Sequence, residues 1–595
     1  MSSQDIQAHQ TRLTPTGCQR RATLRMRRVV FSALNIGTYT LLLLALARIL
    51  GVSGWSWVDC VLFFCFALAL PWTVLGFWNA LIGFLILKLS KNPLTVVAPF
   101  AVVNNPQEPL RIRTAIVMTL RNENPSRAFE RLRVVKHSLD ATGFGHQYDY
   151  FILSDTHDPI IAASEEGLFK RWQEILEDPS QVTYRCRTEN EGYKAGNIRD
   201  FCVRWGDDYE LMLPLDADSL MTGEAIVRLT RIMQAHPSLG ILQSLVVGMP
   251  SSSAFARLFQ FGMRHGMRPY TIGSAWWQGD CGPYWGHNAL LRIQPFREHC
   301  DLPIIRGEGV LSGHILSHDQ VEAAMMRAAG YEVRVLPEEI GSFEENPPTL
   351  LEFTRRDVRW CQGNLQYLRL RKLKNITFVS RFQLVWAILM FLGVPSWTLI
   401  IALLPFKIID GEPFKAFPTS DAIALYIIFI VMSLTPKIVG FCDILLSKGG
   451  VKRYGGYSLF IRGIVSEIIF SFLIGAVTTF RVFTFMIGLL FGYSVVWNGQ
   501  QRDAYGIEWL LAIRQTGLAF LFGLCVSLAL LWLSPIVLMW LSPLLFGYLV
   551  AFPLVVFTAS PAMGNMFVKK RLCAIPEEFA PPQELVWLET LQRGE

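Results

Sequence analysis

The sequence predicts a polytopic α-helical membrane protein that carries one cytosolic α/β domain. Three observations predict it. Apolar residues make up 51% of the 595 and gather in blocks of membrane-spanning length toward both ends of the chain. Charged residues gather instead between about residues 91 and 379. Inside that stretch, short apolar runs end on polar or acidic residues, which is the pattern of buried parallel strands.

Crossing the hydrocarbon takes roughly 20 apolar residues. Residues near 30–50 and 58–86 supply two spans before the soluble stretch. The run QRRATLRMRR, Gln19 to Arg28, precedes the first. It has too many charges for a signal peptide and no small-residue cleavage site, so it reads as a retained anchor with a cytoplasmic N-terminus. Two crossings return the chain beside Lys88 and Lys91, which places the soluble stretch in the cytoplasm. After it come spans near 381–405 and 422–441, a block at 459–495, and a tight pair near 513–533 and 536–558. Lys448, Lys452 and Arg453, and later Lys569, Lys570 and Arg571, belong inside. The block at 459–495 must therefore cross an even number of times, although Arg462, Glu467 and Arg481 are costly in lipid. Two short crossings, or an interfacial helix with a re-entrant piece, satisfy that parity. Two crossings are the preferred reading and make eight spans in all.

The expected division is 1–90 for the N-terminal segment and two spans, and 91–379 for the cytosolic domain with interfacial helices. Residues 380–560 hold about six spans, and 561–595 form a cytosolic tail. The net charge of +7 lies largely beside apolar blocks and does not point to nucleic acid. The 11 Cys are scattered without a C-x-x-C, so neither a disulfide framework nor a cysteine zinc site is indicated.

Within the soluble stretch, TAIVMTL (Thr114 to Leu120) leads to Arg121, Asn122 and Glu123. YDYFILSD ends at Asp155, and YELMLPLDAD ends at Asp216 and Asp218. Open α/β sheets bind ligands beyond the carboxyl ends of their strands, so these acids are expected to converge on one nucleotide site. No phosphate-binding G-x-x-x-x-G-K-[ST] and no strand–G-x-G-x-x-G–helix unit is present. Two carboxylates one residue apart at a strand end suit a hard divalent cation shared with substrate phosphates; the same D-x-D also suits a plain turn and helix cap. YKAGN (Tyr193 to Asn197) puts a lone Lys194 in a glycine-bearing turn. YWGHN (Tyr284 to Asn288) is an aromatic turn, SHD (Ser317 to Asp319) opens a helical pattern, and RRDVRW (Arg355 to Trp360) lies on an amphipathic stretch. His314 and His318 stand four apart, but HILSH lacks the Glu of H-E-x-x-H, which argues against a zinc hydrolase.

The ordered set of Asp155, K-A-G-N, D-A-D, aromatic-x-G-x-N, Asp319 and R-x-x-R-W resembles the processive family-2 glycosyltransferases. Those synthases usually carry T-E-D and Q-x-x-R-W. The S-H-D and Arg356-x-x-Arg359-Trp360 found here, with FEENPP and RRDVRWCQGN nearby, resemble the bacterial glucans biosynthesis glucosyltransferase H group. The likeness spans roughly residues 110–375 by motif and the membrane regions by plan only.

The resemblance implies a GT-A (nucleotide-diphospho-sugar transferase) domain and an inverting, UDP-glucose-dependent hexosyltransferase. It further implies that the enzyme builds the linear β-1,2-glucan backbone of osmoregulated periplasmic glucans at the inner membrane. It gives Asp319 the role of general base, which must accept the proton of the acceptor hydroxyl as it attacks the anomeric carbon. It places Asn122, Glu123, Asp155, Lys194, Asp216, Arg356 and Arg359 at the donor, and Asp216 and Asp218 on Mg²⁺ (or Mn²⁺). Trp360, Tyr284, Trp285, His287 and Asn288 fall at the acceptor. UDP-glucose, the growing glucan and membrane lipids are the implied partners; acyl carrier protein is implied by the family alone and by no residue here. Each residue also has a plainer reading: Asp155 as a strand-end turn, Asp319 as a helix cap, Trp360 as an interfacial anchor, Trp276 and Trp277 as core. GQQRD (Gly499 to Asp503) is either a gating loop over the nucleotide or a solvated loop, since the familiar F-x-V-T-x-K is absent. A synthase making another polymer, or a transporter with a regulatory nucleotide-binding domain, are the alternatives.

Overall fold

The computed structural model describes residues 21–102, 108–370, 373, 375–410, 418–495 and 502–593. The first 20 residues and Gly499 to Gln501 of the expected gating loop lie outside them. The soluble stretch folds around a seven-stranded mixed sheet in the order β3-β2-β1-β4-β8-β6-β9. Its strands are β1 (Thr114–Leu120), β2 (Tyr148–Ser154), β3 (Val182–Cys186), β4 (Leu211–Asp216), β6 (Leu239–Ser244), β8 (Ala289–Arg292) and β9 (Glu332–Leu336). A smaller sheet joins β5 (Ser219–Met221), β10 (Ser342–Glu344) and β7 (Val247–Gly248).

All seven residues of β1 are buried, because the sheet is covered on both faces. The side chains alternate accordingly: Ile116, Met118 and Leu120 enter one core, Ala115 and Val117 the other. Parallel pairing sets Val117 beside Phe151 and Pro214. The carboxyl ends of β1, β2 and β4 therefore come out together, as the three apolar runs required. Pro214 has no N–H to lend, and the antiparallel ladder of β4 with β8 covers only Leu211 and Met212.

Helices α1 (Arg21–Leu50) and α2 (Trp57–Leu89) precede the sheet. Those that position the site are α3 (Pro125–Ala141), α4 (Pro159–Ile175), α5 (Tyr193–Arg204), α6 (Gly223–Ala235), α7 (Ala254–Gln278), α8 (Asp319–Ala328) and α9 (Leu350–Gln366). The second helical region holds α10 (Phe378–Asp410), α11 (Thr419–Leu446), α12 (Tyr457–Leu490), α13 (Trp509–Leu533), α14 (Pro535–Leu549) and α15 (Ala551–Ala559). Among the described residues, six helices are long and apolar enough to cross a membrane, and α14 with α15 forms a seventh unit bent by 54°.

The block expected to cross twice is one unbroken helix, α12. It contains no proline, and Glu467, one of the charges costly in lipid, is paired with Lys437 of α11. Both of its ends meet the sheet domain. Arg453, just before it, lies 3.8 Å from Glu339, and the Val495 N–H, just after it, donates to Gln362 Oε1 at 2.8 Å. In place of the two short crossings expected over 459–495 stands this single helix, itself one of the six that are long and apolar enough to cross a membrane.

The sheet domain is locked to the membrane helices through α7, which packs along α2. Cβ atoms on Gly83 or Gly273 would collide with the backbone carbonyls of Pro269 and Asn79, so only glycine permits this approach. Trp277 Nε1 donates to Asn79 Oδ1 at 2.9 Å and its ring stacks on Phe31 at 4.4 Å, while Arg27 sits over Trp276 at 5.6 Å. Both tryptophans therefore serve packing. The tail returns to the sheet domain too. Its helix α16 (Gln583–Arg593) lies on α3, with Ser138 Oγ donating to Glu584 Oε1 at 2.5 Å and Trp587 edge-on to His137.

Candidate active site

The site is built at the strand ends. Asp155 follows β2 and is only 2% exposed. Its carboxylate accepts two hydrogen bonds from Arg187, at 2.7 and 2.6 Å, and Arg187 also donates to the carbonyls of Glu191 and Tyr193. Asp155 thus fixes the loop that delivers Lys194. YKAGN is not a turn, as expected, but the first turn of α5, entered through Gly192 at φ +72°. Lys194 Nζ pairs with Asp216, at the end of β4.

Burial alone would raise the Asp216 carboxyl. Lys194, His287 and Arg502 outweigh it and hold the group down at about 2. Asp218 pairs with Arg502 at 2.8 Å. Glu123 lies within reach of both aspartates, and burial together with their charges pushes it up to about 8. Three carboxyl groups therefore share a pocket balanced by Lys194 and Arg502.

Asp319 begins α8. Burial raises its carboxyl, and His318 beside it pulls the other way. His318 Nδ1 is held by Glu322 at 2.9 Å. Gly286, at φ +82°, stands between the two halves of the site. A Cβ there would lie 3.7 Å from Asp319 Cβ, 3.8 Å from Lys194 Nζ and 4.0 Å from His318 Cε1. Asp319 and the Lys194–Asp216 pair thus both come close to Gly286.

Helix α9 closes the site from the membrane side. Trp360 is 46% exposed, and the Arg356 guanidinium stacks on its ring at 4.7 Å. Burial lowers Arg356, with Arg502 adding to the effect. Burial, then Arg356 and Arg502, lower Arg359 to about 10, against the attraction of Asp216 and Glu123. Both arginines thus belong to the field of the carboxyl group cluster. A cavity of about 1250 Å³ opens beside Trp285 and Gln320 and continues between the membrane helices past Trp386, Trp397 and Phe429.

Several of the expected residues have partners within the fold. Asn122, at φ +53°, accepts from the N–H groups of His157 and Asp158 with its side-chain oxygen, at 2.9 and 3.1 Å, and so ties β1 to β2. Asn288 is buried and donates to Ser342 Oγ and the Phe343 carbonyl, at 2.9 and 3.2 Å. Tyr284 is fully buried in the core beneath β8. His287 lies between Ser219 and Glu344, on the Asp216 side. Of the expected acceptor group from YWGHN, Tyr284 and Trp285 border the cavity as part of a larger aromatic lining. Arg187 was missed; its signal was a basic residue just past β3, the strand beside β2. Arg502 and Asp503 of GQQRD do reach the site, at Asp218 and at Arg127.

Among the described residues, no three His, Cys, Asp or Glu side chains are placed to hold a metal by themselves. The donor set nevertheless fits a hard cation completed by phosphate oxygens, since Asp216 and Asp218 supply carboxylates at one strand end.

A mixed sheet with carboxylates at its strand ends, joined to a bundle of long apolar helices, is the architecture of a polytopic protein with a glycosyltransferase domain of the GT-A type. Residues 211–436 match the family described as glycosyl transferase family group 2. The chain is 35% identical to glucans biosynthesis glucosyltransferase H of Enterobacter sp. (strain 638), over 93% of this chain and 71% of that one. It is 34% identical to the protein of that name from Nitrosomonas europaea, over 98% and 70%, and 36% identical to that of Escherichia coli (strain K12), over 88% and 63%. The chain belongs to the glucans biosynthesis glucosyltransferase H family. It is also similar to a solved mannosyltransferase from Pyrobaculum calidifontis in complex with GDP-Man and Mn2+, at 16% identity and a TM-score of 0.41, over 66% of this chain and 99% of that one.

Proposed function

We propose that this enzyme transfers glucose from UDP-glucose, with inversion, to the end of a growing β-1,2-linked glucan, and passes the chain across the bacterial inner membrane from a cytoplasmic active site. The observation that carries the reading is the convergence of Asp319 and the Lys194–Asp216 pair on Gly286. In this reading the donor diphosphate rests against Lys194 and Arg359. Asp216 and Asp218 would hold Mg²⁺ or Mn²⁺, which offsets negative charge on the departing diphosphate.

Asp319 accepts the proton of the acceptor hydroxyl while that oxygen bonds to the anomeric carbon. The bond from that carbon to the diphosphate oxygen breaks, UDP leaves with the bonding electrons, and Asp319 returns its proton to solvent. Its raised carboxyl suits it to take a proton near neutral pH. Trp360 offers a flat face for the acceptor sugar, held rigid by Arg356. The cavity that begins at Gln320, next to Asp319, supports export of the product between the helices. A transporter with a regulatory nucleotide-binding domain has no use for a base facing Lys194.

The test is reconstitution in vesicles with Mg²⁺ and a panel of UDP-sugars, followed by linkage analysis of the product. A β-1,2-glucan from UDP-glucose is expected. A polymer with another sugar or linkage would overturn the substrate assignment, and sugar release without polymer would overturn synthesis. Trp360→Ala is expected to slow elongation more than donor hydrolysis; equal losses would make the ring merely structural.

A further inference from the structure

The cavity holds a charged cluster that the transfer reaction does not use. Lys437 of α11 reaches Glu467 and Ser471 of α12, and all three side chains line the cavity. Ser471 Oγ also donates to Glu467 Oε1 at 2.7 Å. An ammonium carries three hydrogens. Two of Lys437's are taken by Glu467 and Ser471, and the side chain keeps 30% exposure. Glu467 Oε2 is buried and accepts no hydrogen bond among the described residues. The cluster thus has a spare donor and a spare acceptor side by side.

Its cost calls for a use. Ionised groups among membrane helices are expensive and sit where a path runs. As a mere fastener, an ion pair gains little over apolar residues of the same size. Nor is it needed to fasten these helices: α11 packs chiefly on α2 and α7, and α12 on α10 and α14. Helix α7 makes room for the carboxylate, because a Cβ on Gly262 would collide with Glu467 Oε1. The aromatic residues Tyr270, Trp386, Trp397 and Phe429 line the same cavity. Flat apolar faces with a few convergent polar groups suit a ring that is apolar on its faces and hydroxylated at its edge.

We propose that Lys437, Glu467 and Ser471 form a hydroxyl-binding station for a pyranose ring inside the cavity. Lys437 donates to one ring hydroxyl, and Glu467 Oε2 accepts from its neighbour. The ligand is a segment of the elongating carbohydrate, and in this the inference rests on the function proposed above. The station sits away from the reacting atoms and acts on the chain already made.

The test is direct binding to the full-length protein in detergent, read by intrinsic tryptophan fluorescence during titration with a soluble β-1,2-linked gluco-oligosaccharide. Wild type is expected to saturate. Lys437→Met combined with Glu467→Met removes both charges and leaves no lone one; it is expected to weaken binding about tenfold, the scale of a hydrogen bond to a charged group. Ser471→Ala keeps both charges and is expected to weaken binding about threefold, which provides a readout if the double variant fails to assemble. Unchanged affinity in the variants, or no saturable binding by wild type, overturns the station. The linkage of the wild-type product is read separately: a different polymer overturns the substrate assignment, and the titration with an oligosaccharide of that polymer then decides the station by the same criteria.

Discussion

Replacing Asp319 with Asn keeps the shape of the side chain and removes one proton acceptor. The structure sets how much that should cost. Asp216 is held down at about 2 and already binds Lys194, so it is too weak a base to substitute, and Glu123, pushed up to about 8 among the aspartates, keeps its proton at neutral pH. Loss of a general base costs about 10²–10⁴ in rate. Without a substitute the upper part applies, about 10³–10⁴, or roughly 4–5.5 kcal/mol of barrier. Donor affinity should change by less than about twofold, because Lys194, Asp216 and Arg359 keep their partners. The base works ionised, and burial raises its carboxyl. Wild-type turnover should therefore fall as pH drops through a value above the ordinary carboxylate range, and the residual activity of the variant should lack that limb. Stability runs in the opposite sense. The folded carboxyl holds its proton more tightly than the unfolded one, so folding loses stability as pH rises from the unfolded value through the raised one. The asparagine carries no such charge, and the variant should melt higher than wild type at neutral pH. UDP-release kinetics across pH, donor titration and thermal melts make the assay. Activity within tenfold of wild type, or an unchanged acid limb, would refute the assignment of the base.

Arg502→Ala frees Asp218 from a pair that a divalent cation must otherwise break; the concentration of Mg²⁺ or Mn²⁺ for half-maximal activity should fall about tenfold, the scale of one partly buried ion pair. An unchanged cation requirement would remove Asp218 from the cation site. Gly273→Ala pushes a methyl group against the Asn79 carbonyl and should cost about 1–3 kcal/mol of helix docking, seen as a lower melting temperature in detergent.

What the residues disclosed in advance was local. Thr114–Leu120, Tyr148–Ser154 and Leu211–Asp216 stood out because each is an apolar run closed by polar residues, and Asp319 and Trp360 fell on helices because their flanks have helical spacing. What stayed hidden was contact across long separations. Arg502 reaches Asp218, and Arg187 reaches Asp155, through folding that no spacing announces. Lys437 of another helix pairs with Glu467, so a charge that looked costly in lipid has its partner. YWGHN reads as a sugar-binding surface by residue type, and no spacing announces that Tyr284 and Asn288 are buried.

The return of α16 to the sheet domain has a consequence for how the molecule is made. Leu585 and Leu588 complete the same core as Phe129, Leu132 and Val135, yet a ribosome reaches them only after every membrane helix has been translated. The sheet domain emerges early and must wait, with part of its core open to solvent, while four long apolar helices and the bent α14–α15 unit are translated. Its core is therefore completed last, by a helix made after all of them.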